Sequence, residues 1–205
     1  MNFSSKLIED AVNQISQLPG IGKKSALRMV LSLLKKSEKE VEEFSSAIHR
    51  MRKEIQYCSR CYNVSDDTIC SICTNPSRKR SIICVVENIR DLMALENTQQ
   101  FNGRFHVLGG LISPLDGVGP SDLSLEALFE RVEQEDIQEL IMALSPTMEG
   151  DTTTFYINKK IKSTVRISAL SRGVAFGGEL EYADELTLGK SLENRIPIDQ
   201  AVKNE

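Results

Sequence analysis

Apolar residues recur at helical spacing through the first quarter of the chain. Leu7, Ile8, Ala11, Val12 and Ile15 fall on one face of a helix predicted over residues 4–17, which Ser4 or Ser5 can cap. The pattern stops at Leu18-Pro19-Gly20, a breaker cluster. It resumes near Gly22 or Lys23, with Ala26, Met29, Val30, Leu33 and Leu34 turned inward. A third helix is predicted over roughly 38–56 from Val41, Phe44, Ile48, Met51 and Ile55. That stripe suits a core or a subunit interface. His49 lies off it and reads as a surface residue.

After a polar, basic linker over residues 75–80, the period changes. Ser81–Val86 is a short β-branched run, a buried strand. Helix and strand then alternate: helix 88–98, strand 105–108, a Gly/Pro-rich loop 109–122, helix 124–134, strand 139–144, helix 151–161 and strand 164–170. Such alternation implies a parallel-rich α/β sheet. The tail carries Gly173, Gly177 and Gly178, an acidic stretch, and a last apolar segment over 188–196. Gly177–Asp184 fits either an intersubunit strand or a local turn.

Composition narrows the class. The 205 residues are 40% apolar and 26% charged, which excludes a disordered or collagen-like chain. No apolar run approaches the ~18 residues of a membrane span. The N-terminus lacks the apolar core of a secretory signal, so a cytoplasmic location is expected. The net charge of −4 is unevenly spread. Residues 1–80 hold 14 Lys/Arg against 9 Asp/Glu, whereas residues 81–205 hold 11 against 20. A basic front and an acidic back suggest modules with different partners.

Four of the five cysteines, Cys58, Cys61, Cys70 and Cys73, form a C-x2-C-x8-C-x2-C pattern. In a reducing compartment such a cluster points to metal rather than disulfides. Two C-x2-C hooks supply the four thiolates of a closed tetrahedral zinc site, one structural Zn2+ per chain. Reactive thiols or an iron–sulfur cluster are the other readings of the pattern. Four thiolates on one zinc ion carry a net charge near −2, which Arg60, Arg78, Lys79 and Arg80 can offset. The module therefore supports geometry rather than gripping DNA. Cys84 lies in an apolar run and reads as a small buried hydrophobe.

Two further constellations carry chemistry. Leu18-Pro19-Gly20-Ile21-Gly22-Lys23-Lys24-Ser25-Ala26 precedes Arg28. Its glycines permit a tight turn, leaving amides of Gly20, Gly22 and the next helix's first turn free for a phosphate. Lys24 and Arg28 share one helix face. This resembles a helix-hairpin-helix DNA-binding motif, which reads phosphate without sequence preference. A plain αα-hairpin is the alternative. Further on, IICVVE ends at Glu87 with Asp91 one turn later, and ELIMAL leads into Ser145-Pro146-Thr147-Met148-Glu149-Gly150-Asp151. Acids at the carboxyl ends of parallel strands lie where α/β folds bind ligands, although they can equally cap helices and solvate loops.

This half resembles a Toprim domain, whose catalytic members use a strand-end Glu and an Asp-x-Asp pair that holds a divalent metal. The matching positions here are Ser145 and Thr147. Two neutral hydroxyls cannot replace those charges, so two-metal phosphodiester chemistry is not expected. Glu87, Glu149 and Asp151 remain for weak metal binding. Tyr57 and Tyr62 flank the cysteine hook, Tyr156 and Tyr182 look structural, and no Walker A sequence is present.

Together these motifs resemble the RecR family of bacterial recombination mediators. The carrying segments are LPGIGKKSALR, CSRCYNVSDDTICSIC, ICVVEN, LGGLISPLDGVGPSDL, SPTMEGD and RGVAFGGELEYAD. Three positions depart from the family pattern: Lys23 for a common Pro, Ser145 for Asn, and Ala175-Phe176 for Pro-Val. The expected fold class is α+β, multidomain. It comprises a helix-hairpin-helix module over 1–56, a four-cysteine zinc finger over 57–76, an α/β Toprim domain with a mostly parallel sheet over 81–176, and a C-terminal segment over 177–205 that can supply intersubunit contacts.

The resemblance implies a non-enzymatic DNA-repair and recombination mediator, associated with the bacterial nucleoid during repair. It would act with RecO and RecF to load RecA onto single-stranded gaps covered by SSB. It would assemble as a ring-like homo-oligomer, typically a tetramer, that binds DNA through Gly20, Gly22, Lys24 and Arg28 lining the hole. The acidic half would face partner proteins, with Glu87 and Asp91 as partner-binding residues and no catalytic residue. The alternatives are a metal-dependent Toprim enzyme with nicking or primase-like activity, and a structural zinc protein that binds no DNA.

Overall fold

Four parallel strands, β3 (Ile82–Val86), β4 (Arg104–Val107), β5 (Glu139–Ala143) and β6 (Arg166–Ala169), form a sheet in the order β4-β3-β5-β6. The computed structural model describes residues 3–161, 164–174 and 177–197. The chain divides into two units, Met1–Ile55 and Gln56–Glu205.

In the first unit, α1 (Lys6–Ile15) packs on α2 (Lys23–Leu33) through buried Val12, Ala26 and Val30, with Ile8, Ile15 and Ile21 around them. The connecting turn reverses at Gly20, whose φ of +78° is the left-handed conformation that favours glycine. Helix α3 (Glu38–Glu54) opens with a capping box in which the Ser37 amide donates to Glu40 Oε2 at 2.9 Å and the Glu40 amide to Ser37 Oγ at 3.4 Å. The expected core role of the α3 stripe is not met within the chain. No α3 residue is buried, and Phe44, Ile48 and Met51 are about half exposed. His49 is exposed, as expected.

In the second unit the period-2 alternation of β3 divides two cores. Ile83 and Val85 join Leu108, Leu125, Leu128, Leu140, Met142 and Ile157 on the face covered by α6 (Leu125–Gln134) and α7 (Met148–Lys160). Cys84 and Val86 join Leu92, Phe105, Val107 and Ala143 on the other, beneath α5 (Ile89–Asn97). Burial on both faces is why these strands read as continuous apolar runs. In register, Val86 pairs with Val107 on one side and Ala143 on the other, so Glu87 and Leu144 leave the sheet side by side.

Boundaries differ from the sequence expectation where a side chain caps or pairs. Helix α7 begins at Met148 rather than 151, because Thr147 Oγ1 accepts the Gly150 amide at 3.2 Å. Strand β4 starts one residue early, at Arg104, and β6 is shorter than 164–170. Within Gly177–Asp184 the described residues form a turn, with a 3-10 segment over Leu180–Tyr182, rather than a strand. Helix α8 (Glu185–Glu193) follows, capped by Asp184. Ala175 and Phe176 lie outside the described residues.

The Gly/Pro-rich loop is ordered by its aspartates. Ser113 Oγ donates to Asp116 Oδ2 at 2.6 Å, and the Gly119 amide donates to Asp122 Oδ2 at 2.8 Å. Buried Thr153 ties this loop to α7: its Oγ1 accepts the Ile112 amide at 2.9 Å and donates to the Glu149 carbonyl at 2.7 Å. His106 is also buried. Ser124 Oγ donates to the Val107 carbonyl, so His106 donates from Nε2 to the Ser124 carbonyl at 2.9 Å. Its Nδ1 has no partner among the described residues.

Two tests follow from this packing. A Cβ on Gly150 would lie 1.9 Å from the Ser145 carbonyl oxygen, so Gly150→Ala should cost about 1–3 kcal/mol in denaturant unfolding. Burial pushes the His106 pKa down from 6.5 to about 4, so folding excludes a proton that the unfolded chain binds. Its contribution is complete above pH 6.5 and fades as pH falls toward 4. His106→Gln should remove up to about 3 kcal/mol of the acid-side loss seen in the parent protein, measured by urea unfolding across that range.

Candidate nucleic-acid interface and metal centre

The hairpin presents its chemistry outward. Gly22 caps α2 with no side-chain hydrogen bond, and the first return to the helix is the Ala26 amide onto the Gly22 carbonyl at 3.0 Å. The amides before it have no helical acceptor. A Cβ at Gly20 or Gly22 would meet nothing within 4 Å, so the space over this end of the helix is open. Gly20, Gly22, Lys24 and Arg28 are all exposed. Lys24 and Arg28 line one shallow groove on α2 with Leu27, Leu31, Ser32 and Lys35. Lys35, in the turn just past α2, escaped the sequence reading. The surface can hold a polyanion's backbone.

The four cysteines meet in the second unit, all buried. Their sulfurs lie within 4.8 Å of one another, and Cys61 and Cys70 are 3.5 Å apart. Tetrahedral zinc with Zn–S bonds near 2.3 Å needs sulfurs about 3.8 Å apart, so the group fits one structural zinc ion. Local backbone builds each hook. The Cys58 amide donates to the Asn63 carbonyl at 2.7 Å, and the Cys70 amide donates to Cys58 Sγ at 3.3 Å. Tyr62 sits at φ +61°, a conformation rare for a non-glycine residue, which sequence reasoning did not foresee. A two-residue strand pair, β1 (Gln56–Tyr57) with β2 (Val64–Ser65), and the short helix α4 (Ser71–Thr74) complete the knuckle.

The thiols share hydrogen bonds. Hydrogen bonding to Cys70 pushes Cys61 far above the ordinary thiol range, while the bond from Cys61 holds Cys70 well below it. A metal entering this group must displace the retained protons, so its affinity rises with pH. Cys84 is different: burial alone pushes it up to about 12, which leaves it inert, as its apolar context suggested.

At the carboxyl ends of β3 and β5, the structure brings Glu87 and Ser145 together. Ser145 Oγ donates to Glu87 Oε2 at 2.8 Å. Thr147 is occupied as the cap of α7, and Asp151 pairs with Arg172, which holds its carboxyl below the usual range. Asp91 and Glu149 lie in the first turns of α5 and α7. Among the described residues, the cysteines form the one group of three or more His, Cys, Asp or Glu side chains close enough to share an ion. Among the described residues Glu87, Asp91, Glu149 and Asp151 form no such group.

Comparison with known proteins matches each part of this architecture. The RecR helix-hairpin-helix family model matches residues 8–52, and the RecR four-cysteine zinc finger domain matches 55–75. The Toprim domain matches 81–171, and the RecR C-terminal model matches 173–196. The chain is 58% identical over 197 residues to the Recombination protein RecR of Amoebophilus asiaticus, covering 96% of this chain and 98% of that one. It is 55% identical to the Recombination protein RecR of Flavobacterium johnsoniae over 205 residues, the full length of both. With a metal-ready cysteine quartet, an open hairpin and relatives this similar over their whole length, the chain belongs to the RecR family.

Proposed function

We propose that this protein is a non-enzymatic mediator of DNA repair and recombination that binds DNA without sequence preference. The observation that carries this reading is the bond between Ser145 and Glu87. A hydroxyl stands where Toprim enzymes place a metal-binding carboxylate, and it engages the acid that catalysis would need. Gly20, Gly22, Lys24 and Arg28 supply the DNA contact through free amides and two cations.

As a family member it would act with RecO and RecF to promote RecA loading onto SSB-coated single-stranded gaps. A ring-like oligomer, typically a tetramer, would repeat the hairpin and supply avidity that one protomer lacks. Exposed apolar side chains on α3 and at Leu180, Tyr182, Leu186 and Leu192 support such assembly. Glu87 and Asp91 would meet a basic partner surface. Asp91 is the cleaner handle, because Glu87 is already tied to Ser145.

The DNA contact is tested by fluorescence anisotropy across a salt series. Lys24→Ala with Arg28→Ala should weaken binding to all sequences and flatten the log–log salt slope by about 2. An unchanged slope would exclude the hairpin as the grip. Mg2+-dependent strand cleavage by the intact protein, abolished by Glu87→Gln, would establish the enzymatic alternative. For the partner face, Asp91→Lys should impair RecO binding in a pull-down while zinc content stays constant, and unaltered binding would remove Asp91 from that face.

A further inference from the structure

Three guanidinium groups converge on one carboxylate beside the cysteine knuckle. Arg60, between Cys58 and Cys61 in the chain, places Nη2 3.4 Å from Glu135 Oε1. Arg104, the first residue of β4, places Nη1 3.4 Å from Glu135 Oε2. Arg131 on α6 places Nε 3.2 Å from Glu135 Oε1 and donates Nη1 to the Phe105 carbonyl at 2.8 Å. The side chains of Arg104 and Arg131 are only 1% and 5% exposed.

This group is out of balance by itself. Three cations against one carboxylate leave a formal excess of two positive charges. Arg104 Nε and Arg131 Nη2 are buried with no hydrogen-bond partner among the described residues. Buried, uncompensated charge is strongly unfavourable. Arg104 and Arg131 are too enclosed to recruit a diffusible anion, so the balancing charge belongs in the fold.

The knuckle is the neighbour able to supply it. The Cys61 carbonyl accepts the Val107 amide at 2.8 Å, which fixes the knuckle on the same strand that begins at Arg104. Burial and Arg60 lower the Arg104 pKa, while Glu135 and Cys73 act in the opposite sense, so the cysteine group lies within electrostatic reach. Four thiolates on one divalent zinc carry a net charge of about −2. That matches the arginine excess with opposite sign.

We propose that Arg60, Arg104 and Arg131, gathered by Glu135, are the charge-compensating shell of the tetrathiolate zinc site. They act through the field rather than as ligands. Zinc affinity is therefore set partly by β4 and α6, outside the cysteine motif. In the metal-free protein the arginine excess lacks the full counter-charge of the tetrathiolate site, so loading the knuckle and seating it on β4 reinforce one another.

The test uses the full-length protein and Arg60, the most exposed of the three, whose replacement spares the buried packing. Zinc affinity is measured by competition with a chromogenic chelator. Co2+ absorption reports whether four sulfurs still bind tetrahedrally. Arg60→Gln should weaken zinc binding by about tenfold, while Arg60→Lys retains parental affinity. Arg166→Gln, the same charge change at an exposed side chain of β6 on the opposite sheet edge, should leave affinity unaltered. The cobalt spectrum should be the same in all three. The proposal is overturned if Arg60→Gln matches Arg166→Gln, if Arg60→Lys loses as much affinity as Arg60→Gln, or if the cobalt spectrum of Arg60→Gln is altered.

Discussion

The hydrogen bond from the Val107 amide to the Cys61 carbonyl joins the cysteine knuckle to the open edge of the sheet. Strand β4 is an edge strand, and an uncovered edge is a template for pairing with other chains. The knuckle covers part of it, but the knuckle has little structure of its own. Its strands are two residues long, its helix four, and one residue is held in a left-handed conformation. Segments this small need metal–ligand bonds to fold. The zinc site therefore belongs to the architecture of the α/β unit, and the arginines on Glu135 make that dependence electrostatic as well as steric.

Charge placement makes an acidic protein compatible with a polyanionic partner. The net charge of −4 would repel DNA if it were uniform. The hairpin instead sets Lys24, Arg28 and Lys35 on one exposed groove, with the uncapped helix end open above the turn. In the α/β unit, Ser145 and Thr147 both serve local structure. One hydroxyl satisfies Glu87 and the other starts a helix. The acids that remain, Asp91 on one side and Glu149 and Asp151 on the other, lie in the first turns of α5 and α7.

Most of the scaffold was legible because its signals are local. Apolar spacing marked α1, α2 and α5, a β-branched run marked β3, the apolar run after Glu139 marked β5, and cysteine spacing marked the metal centre. The α3 stripe left core and subunit interface both open, because amphipathic spacing reports a face seeking a partner without saying whether the same chain supplies it. The early start of α7 turned on one hydroxyl cap, which a window of hydrophobicity cannot resolve. Least legible was the cluster of Arg60, Arg104 and the Arg131–Glu135 pair, which come from three distant parts of the chain. Arg104, a charge immediately before the strand expected over 105–108, was the available sign. Its partners emerge only once the sheet, α6 and the knuckle are assembled.

The claim that the metal is a structural member of the sheet is tested most directly by hydrogen–deuterium exchange before and after zinc removal with a chelator. The account predicts loss of protection at Val107, the rest of β4 and the knuckle. Protection in α1 and α2, whose core is formed by Val12, Ala26 and Val30, should be unchanged. Unaltered exchange at Val107 after complete removal of zinc would contradict it.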